Sequence, residues 1–363
     1  MLLSQFNYTI GSLNPETMTG LLRSSSRDTL SNCIVSELKI EQVGAGQMAC
    51  SYRVTLKYQQ GYGPSSVVVK LPSDNVSSKA FAVQTGAYLR EVNFYNNLVD
   101  KIGARTPACF YGNIDANLGD FVLVLEDMTP TSTVDQLSGA TPDQAASALE
   151  QAALLHGKTW RSPIVEASWL PTDEVWTTIA ASVPASVTPW LERFGAYLDR
   201  EQVAAVEELA HHASAWVATL RNHRSLWHGD FRLDNMLFNA RDGADPIAIV
   251  DWQSVASGPG TIDVSYFMGN SLSADNRSTH ERDLLKVYFD RLVSMGVNEV
   301  DFDELWLEYR AHALFGLILI VPISLGVKQT DRGDAMFGAM ASRTTSQIVE
   351  LASYGALSTI LAE

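Results

Sequence analysis

Two stretches of sequence decide the fold of this chain: WHGDFRLDN at residues 227–235 and IAIVDW at residues 247–252. Between them, Asp-Gly at residues 242–243 is a strong signal for a tight turn that joins two antiparallel strands. A chain that folds back near Gly243 brings Asn235 and Asp251 together at the open end of the hairpin. The sequence therefore predicts a β-hairpin whose mouth carries an amide oxygen, a carboxylate and the neighbouring Asp230.

These side chains suit the chemistry of phosphate transfer. An amide oxygen beside a carboxylate suits Mg²⁺, which takes a few protein oxygens and leaves its other positions to water and phosphate. Asn235 and Asp251 are therefore the candidate metal ligands. Asp230 is the candidate catalytic group, because it could orient or deprotonate an attacking hydroxyl, and Arg232 is a candidate contact to the transferring phosphate. Alternatively, His-Gly-Asp only caps a helix or turn and Val-Asp-Trp only ends a buried strand.

The first third of the chain carries a candidate nucleotide site. Gly44 and Gly46 lie between two strand-like segments, where backbone N–H groups can approach phosphate oxygens, although a simple turn is the alternative. Lys70 ends the apolar run at residues 67–69, where an unpaired ammonium would be costly. We expect its partner to be Glu91, whose helical neighbours form a largely apolar face. Otherwise Lys70 extends to solvent at the strand end and Glu91 is solvated.

A short connector follows the apolar strand at residues 121–125. We expect the backbone of Glu126 and Met128 to contact the edge of an adenine ring there, since clefts between lobes are common ligand sites. The alternative for the side chains is that Glu126 and Asp127 are solvated acids after a core strand.

Hydrophobic periodicity changes from strand-like to helical along the chain. Residues 50–58 alternate between apolar and polar side chains, and a turn at residues 59–64 leads to the run at residues 67–69. Residues 76–99 predict one long helix, and strands are expected near residues 108–112 and 121–125. Further helices are expected at about residues 142–160, 200–222, 280–295, 302–325 and 334–353.

The predicted fold class is therefore α+β and bilobal. Residues 1–128 form a nucleotide-binding lobe with a small antiparallel sheet and one long helix. Residues 129–363 form a larger, mainly helical lobe with the catalytic loop and the substrate pocket.

Composition limits the partners. The chain has 363 residues, and 26 basic against 41 acidic residues give a formal charge of −15, which repels nucleic acid and anionic lipid. The cysteines, Cys33, Cys50 and Cys109, lack disulfide or zinc spacing and fit a reducing cytoplasm. The N-terminus does not read as a secretory signal. The apolar stretch at residues 313–327 contains Pro322 and predicts a buried helix, not a membrane span.

The order of these residues resembles the aminoglycoside phosphotransferase and choline kinase superfamily, which has a protein-kinase-like fold. The resemblance covers residues 35–263, and the segments REVNFY at 90–95 and LEDM at 125–128 are most similar to its ecdysteroid-kinase-like branch. It implies ATP or GTP as donor and Mg²⁺ as cofactor. It also implies that Asp230 is the catalytic base, that Asn235 and Asp251 bind the metal, and that Lys70 with Glu91 anchors the phosphates.

The resemblance implies two supporting roles as well. Asp263 would brace the catalytic loop, and His156 would be a hydrogen-bonded core residue. The chain departs from the family pattern where Ala49 replaces a third glycine and where Arg232 occupies a variable position.

The expected acceptor is a hydroxyl of a small molecule. Eleven residues separate Asp251 from Asp263, whereas protein kinases need a long segment there to dock peptides. An irregular stretch between the helices at 142–160 and 200–222 contains Trp169, Trp176 and Trp190, which would suit a hydrophobic alcohol. The alternatives are an aminoglycoside or macrolide resistance phosphotransferase and a nucleotide-binding pseudokinase. We expect a cytoplasmic monomer or homodimer without nucleic acid or membrane partners.

Overall fold

The computed structural model describes residues 8–44, 48–326 and 329–362. Over these residues, the N-terminal lobe contains a five-stranded antiparallel sheet in the order β1-β2-β3-β5-β4. Its strands are β1 (Ile34–Val43), β2 (Ala49–Gln60), β3 (Ser66–Pro72), β4 (Cys109–Asp115) and β5 (Asp120–Glu126). Two small sheets follow, which pair β6 (Arg224–Trp227) with β9 (Ala256–Pro259) and β7 (Met236–Ala240) with β8 (Asp245–Ile249).

Helices build most of the C-terminal part. The N-terminal lobe has three α-helices among its described residues: α1 (Pro15–Arg23), α2 (Val76–Thr85) and α3 (Ala87–Asn97). The C-terminal helices are α4 (Pro142–Thr159), α5 (Asp173–Phe194), α6 (Arg200–Trp216), α7 (Thr261–Ser271), α8 (Ala274–Ser294), α9 (Phe302–His312), α10 (Leu314–Gly326), α11 (Asp331–Glu350) and α12 (Ser353–Ala362).

The predicted β2–β3 hairpin is present, because its alternating pattern buries one face. Tyr52, Val54 and Leu56 are buried on β2, and Val54 lies opposite Val67 of β3. This face packs with α1 in one apolar cluster that includes Met18. The sheet thereby holds Lys70 inside β3, where it lies opposite Ser51 of β2.

The prediction of one helix over residues 76–99 is wrong. The segment forms α2 and α3, which meet at Gly86 with φ of +71°. A left-handed residue cannot continue a right-handed helix, and glycine adopts this conformation without a Cβ penalty. The break sets a new direction for α3, which carries Glu91.

The prediction of an irregular stretch between α4 and α6 is also wrong over most of its length. Residues 173–194 form α5, although Pro184 and Pro189 lie inside it. Trp176 and Trp190 are buried on this helix and belong to the core that it shares with α6 and α10. Tertiary packing of the apolar face thus outweighs the local cost of the prolines.

The apolar C-terminal segment is a buried helix, as predicted, and Pro322 lies inside α10. The helix predicted over residues 302–325 divides into α9 and α10 near Ala313. Within the described chain, Phe302–Gly326 has the length and hydropathy of a membrane span, yet 67% of its most apolar window is buried. A mostly buried stretch of this kind is also found as a core helix.

The two lobes meet where α3 packs on the turn that follows β8. The ring of Phe94 stacks on Trp252, with centroids 4.0 Å apart and an interplanar angle of 7°. Arg90 Nε donates a 2.9 Å hydrogen bond to the carbonyl of Gln253. These contacts fix the segment after Asp251 against the helix that carries Glu91.

Candidate active site

The predicted hairpin forms from β7 and β8. Met236 of β7 pairs with Ile249 of β8, and the Val250 N–H donates a 3.0 Å hydrogen bond to the Asn235 carbonyl. Asn235 and Asp251 therefore flank the open end of the hairpin. Asp251 has φ of +67°, so the chain turns sharply at this carboxylate.

Asp230 lies beside this hairpin mouth, and hydrogen bonds occupy both its oxygens. Oδ1 accepts from Arg232 Nε at 3.0 Å and from the Tyr266 hydroxyl at 3.1 Å. Oδ2 accepts from Asn235 Nδ2 at 2.9 Å and from Arg232 Nε at 3.1 Å. Burial alone would raise the pKa of Asp230, but the charge of Arg232 and the donated hydrogen bonds lower it. The carboxylate is therefore ionised and held in one orientation.

Lys70 joins the two lobes electrostatically. Its ammonium lies 2.6 Å from Glu91 Oε1 and 3.2 Å from Asp251 Oδ1. Burial would lower the pKa of Lys70, but the two carboxylates outweigh it and raise the pKa above its usual value. The expected Lys70–Glu91 contact is present, and the reading in which both side chains are solvated is wrong.

The loop that carries Asp230 is braced from α7. Asp263 accepts hydrogen bonds from the backbone N–H groups of His228 at 2.6 Å and Gly229 at 3.0 Å. His156 is fully buried and lies 3.3 Å from the same carboxylate. Gly229 has φ of +82°, and a Cβ there would lie 2.2 Å from the Ser254 carbonyl oxygen. Any larger residue at position 229 would clash with Ser254, which explains the glycine in the His-Gly-Asp sequence.

Asn235 and Asp251 fit a Mg²⁺ ion by their donor atoms. The amide nitrogen of Asn235 is used by Asp230, which leaves its side-chain oxygen as the free acceptor. Asp251 Oδ2 accepts a long 3.4 Å hydrogen bond from Gln253. In the described part of the chain, no group of three or more His, Cys, Asp or Glu side chains could hold a metal. An amide oxygen and a carboxylate match the preference of Mg²⁺ for a few protein oxygens.

Arg232 lies in the site but is already held by two acids of its own loop. Its guanidinium pairs with Asp230 and also contacts Asp234 closely. A further contact of 3.9 Å joins Arg232 to Met336 Sδ on α11. A contact to phosphate stays a prediction, and it would require the guanidinium to exchange one of these partners.

The connector between the lobes is fixed on both sides. The Glu126 carboxylate pairs with Arg105 at 3.0 Å, so the reading of Glu126 as a solvated acid is wrong. The Met128 carbonyl accepts the Arg241 N–H at 2.9 Å, and the Met128 side chain is buried against Ala240. Among the described residues, the Met128 N–H has no hydrogen-bond acceptor. This N–H is free for a ligand, whereas the Glu126 N–H already donates to the Ala108 carbonyl at 2.8 Å.

The glycine-rich loop can be followed only in part. Gly44 has φ of +72°, and a Cβ there would meet nothing within 4 Å. Gly46 lies outside the described residues. The phosphate-binding role of both glycines stays a prediction.

Sequence reasoning missed two residues that touch this site. Tyr266 donates to Asp230, and Arg90 holds the segment after Asp251 through Gln253. The only sequence signal for Tyr266 was its position three residues after Asp263, which places both side chains on one face of a helix.

Comparison with known proteins supports the resemblance stated from the sequence. Residues 174–297, about a third of the chain, match the model of the ecdysteroid kinase-like family. No curated protein matches the sequence. Choline kinase from Cryptosporidium parvum aligns with a TM-score of 0.59 and 11% identity, covering 96% of this chain and 100% of that chain.

Two further solved structures share the fold. The GDP complex of aminoglycoside 2′-phosphotransferase-IIIa aligns with a TM-score of 0.51 and 15% identity, covering 96% of this chain and 99% of that chain. A microcompartment-associated aminopropanol kinase aligns with a TM-score of 0.50 and 13% identity, covering 95% and 99%. At such identities the likeness establishes the fold: the chain has the bilobal protein-kinase-like fold, as predicted.

Proposed function

We propose that this chain is a magnesium-dependent kinase that transfers the γ-phosphate of ATP or GTP to a hydroxyl group of a small molecule. The observation that carries the proposal is the convergence of Lys70, Asp251 and Asn235 beside Asp230. The first residue comes from the sheet lobe and the other three from the helical lobe, with 3.2 Å between Lys70 and Asp251. The likeness to choline, aminopropanol and aminoglycoside kinases supports this class of reaction.

Each side chain has a distinct task in this proposal. Lys70, held by Glu91, neutralises and positions the α- and β-phosphates. Asn235 and Asp251 hold Mg²⁺, which supplies charge neutralisation on the phosphate oxygens when bound. Asp230 accepts the proton of the acceptor hydroxyl while the new O–P bond forms and the bond from the γ-phosphorus to the β–γ bridging oxygen breaks. Alignment supplies most of the catalysis in this type of transfer.

The nucleotide base would bind at the connector. The free Met128 N–H offers one donor to a base edge, which both adenine and guanine can use through a ring nitrogen or a carbonyl. Leu237 lies partly buried beside Met128 and would contact the flat face of the ring. We therefore keep ATP and GTP as alternatives.

Three acids on the helical side near the catalytic loop are already paired with arginines. Asp334 pairs with Arg193 at 2.5 Å and Asp135 with Arg332 at 3.4 Å, while Asp234 is taken by Arg232. Contact between Arg232 and Met336 brings the first half of α11 next to the catalytic loop. Acids already neutralised by arginines give little attraction to a polycation. We therefore favour a neutral alcohol over an aminoglycoside.

The tryptophan argument for a hydrophobic acceptor no longer holds, because Trp176 and Trp190 are core residues. The pseudokinase alternative is disfavoured, since Lys70, Asp230, Asn235 and Asp251 all occupy the site. We further propose a cytoplasmic location, which the unpaired state of Cys33, Cys50 and Cys109 supports, and a monomer or homodimer.

Thermal shift and phosphate transfer together test the function. Mg·ATP or Mg·GTP should raise the Tm of the full chain, and Asp251→Ala should abolish this rise because a metal ligand is lost. Asp230→Asn should keep the rise but reduce transfer to an alcohol panel by about 10²- to 10⁴-fold, the usual contribution of a general base.

The matched control is Asp242→Asn, an exposed acid at the opposite end of the same hairpin, which should change neither measurement. Absence of a nucleotide-induced rise in the wild type would refute the kinase proposal. Unchanged turnover in Asp230→Asn would remove that residue from the mechanism.

A further inference from the structure

The hydroxyl of Tyr266 reaches the catalytic carboxylate from the protein core. It donates a 3.1 Å hydrogen bond to Asp230 Oδ1, and Tyr266 is only 4% exposed. The residue lies on α7, whose eleven residues are all buried. A donor on such a helix cannot follow a moving carboxylate, because the interior is close-packed.

The same helix face also holds the backbone of the catalytic loop. Asp263 lies three residues before Tyr266, so the two side chains project from one side of α7. Asp263 binds the N–H groups of His228 and Gly229, while Tyr266 binds the side chain of Asp230. One buried helix therefore contacts the loop at consecutive residues, through the backbone first and then through the carboxylate.

The other donors to Asp230 are less fixed or are needed elsewhere. Arg232 divides its guanidinium between Asp230 and Asp234 and retains 19% side-chain exposure. Asn235 is a candidate metal ligand. Tyr266, in contrast, packs edge-on against Phe315, with ring centroids 5.5 Å apart, and Phe315 is fully buried.

On the premise that the proposed kinase function is correct, we propose that Tyr266 is a positioning residue for the phosphate-transfer step. Its hydroxyl holds Oδ1 while Asn235 holds Oδ2, which fixes rotation of the carboxylate about the Cβ–Cγ bond. The orientation offered to the acceptor hydroxyl is thereby set before substrate binds. Preorganisation of this kind acts on the chemical step and leaves nucleotide binding alone.

The alternative is that Tyr266 only satisfies its own buried hydroxyl, as most buried polar groups do. The variant Tyr266→Phe separates the two, since it removes the hydroxyl and keeps the ring against Phe315. We expect its kcat for transfer from Mg·ATP to the best alcohol of the panel to fall about 10- to 100-fold. KM for ATP and the Mg·ATP-induced rise in Tm should stay at the wild-type values.

The matched control is Tyr309→Phe. Tyr309 is also fully buried, and its hydroxyl donates a 2.9 Å hydrogen bond to Glu281, away from the catalytic loop. We expect this variant to lower Tm while kcat stays within about twofold of the wild type, because lost stability alone does not misplace Asp230. The double variant Asp230→Asn with Tyr266→Phe should have the same kcat as Asp230→Asn alone. Tyr266 acts only through the Asp230 carboxylate, so its hydroxyl has no further effect once that carboxylate is gone.

Wild-type kcat in Tyr266→Phe overturns the inference, and so does a double variant that is slower than Asp230→Asn by the full factor of the single change. Should Tyr266→Phe fail to fold, Phe315→Leu keeps the hydroxyl and loosens its support. It should lower kcat severalfold at unchanged KM for ATP, and an unchanged kcat again overturns the inference. Failure of the proposed function gives a different result, in which the wild type transfers phosphate neither to alcohols nor to water.

Discussion

His223 and His312 interact with the same carboxylate, Glu308, but their pKa values shift in opposite directions. His223 Nδ1 lies 2.8 Å from Glu308, and this hydrogen bond raises the pKa of His223 above its usual value. His312 is fully buried and lies 2.7 Å from the Thr261 hydroxyl. Burial lowers the pKa of His312 to about 4, although Glu308 opposes the shift and His223 adds to it.

We therefore expect the stability of the protein to fall on both sides of pH 6.5, the ordinary pKa of histidine. Below it, the unfolded chain protonates His312 and the folded chain does not, so the free energy of unfolding drops by about 1.4 kcal/mol per pH unit. Above it, the contribution of protonated His223 is lost as pH rises through its folded pKa. Urea unfolding from pH 5 to about pH 8 measures both slopes, a range set by the histidine titration.

Two variants separate these slopes. His312→Gln should flatten the acid side alone, whereas His223→Gln should flatten the alkaline side alone. Each variant serves as the control for the other. A wild-type acid slope in His312→Gln would contradict the assignment to that residue.

At the scale of secondary-structure elements, Gly86 is decisive because it sets the angle between α2 and α3. With φ of +71°, an alanine there would be strained, and its Cβ would lie 3.3 Å from Arg90 Nη1. We expect Gly86→Ala to lower the free energy of unfolding by about 1–2 kcal/mol. The Mg·ATP-induced rise in Tm should fall as well, since α3 carries Glu91.

Gly20→Ala is the matched control for this substitution. Gly20 lies inside α1, and a Cβ there would meet nothing within 4 Å. Alanine should therefore stabilise the protein by about 0.5–1 kcal/mol and leave the nucleotide response unchanged. Equal effects of the two substitutions on stability, measured by urea unfolding, would show that the junction at Gly86 is not strained.

Elements with a strong local signal were predictable from the sequence, and those that depend on distant packing were not. Alternation identified β2, and the Asp-Gly turn identified the hairpin of β7 and β8 with Asn235 and Asp251 at its open end. The helix α5 was missed because its prolines indicate a loop, while its burial against α6 and α10 is a long-range property. The contact of Tyr266 with Asp230 was missed for the same reason, since the two residues are 36 positions apart in the sequence.

At the scale of the whole molecule, the largest apolar core contains residues from both sides of the predicted lobe boundary at residue 128. The largest apolar cluster contains Tyr88 and Phe94 of the sheet lobe together with Trp252 and Phe267 of the helical lobe. The stacked pair of Phe94 and Trp252 lies on this boundary. Separating the lobes would expose these rings to water, at a cost of about 1.5–3 kcal/mol for each large side chain.

We therefore predict that the protein unfolds in one cooperative transition, and that residues 1–128 do not fold alone. Calorimetry should give one peak whose calorimetric and van't Hoff enthalpies agree. Phe94→Ala should lower the free energy of unfolding by about 3–5 kcal/mol and move that whole peak to lower temperature. Phe81→Ala is the control, because Phe81 is 53% exposed on α2 and its loss should leave the peak nearly unchanged. Two resolved peaks, with only one shifted by Phe94→Ala, would mean that the lobes are independent and that Lys70 and Asp251 meet without a shared core to hold them.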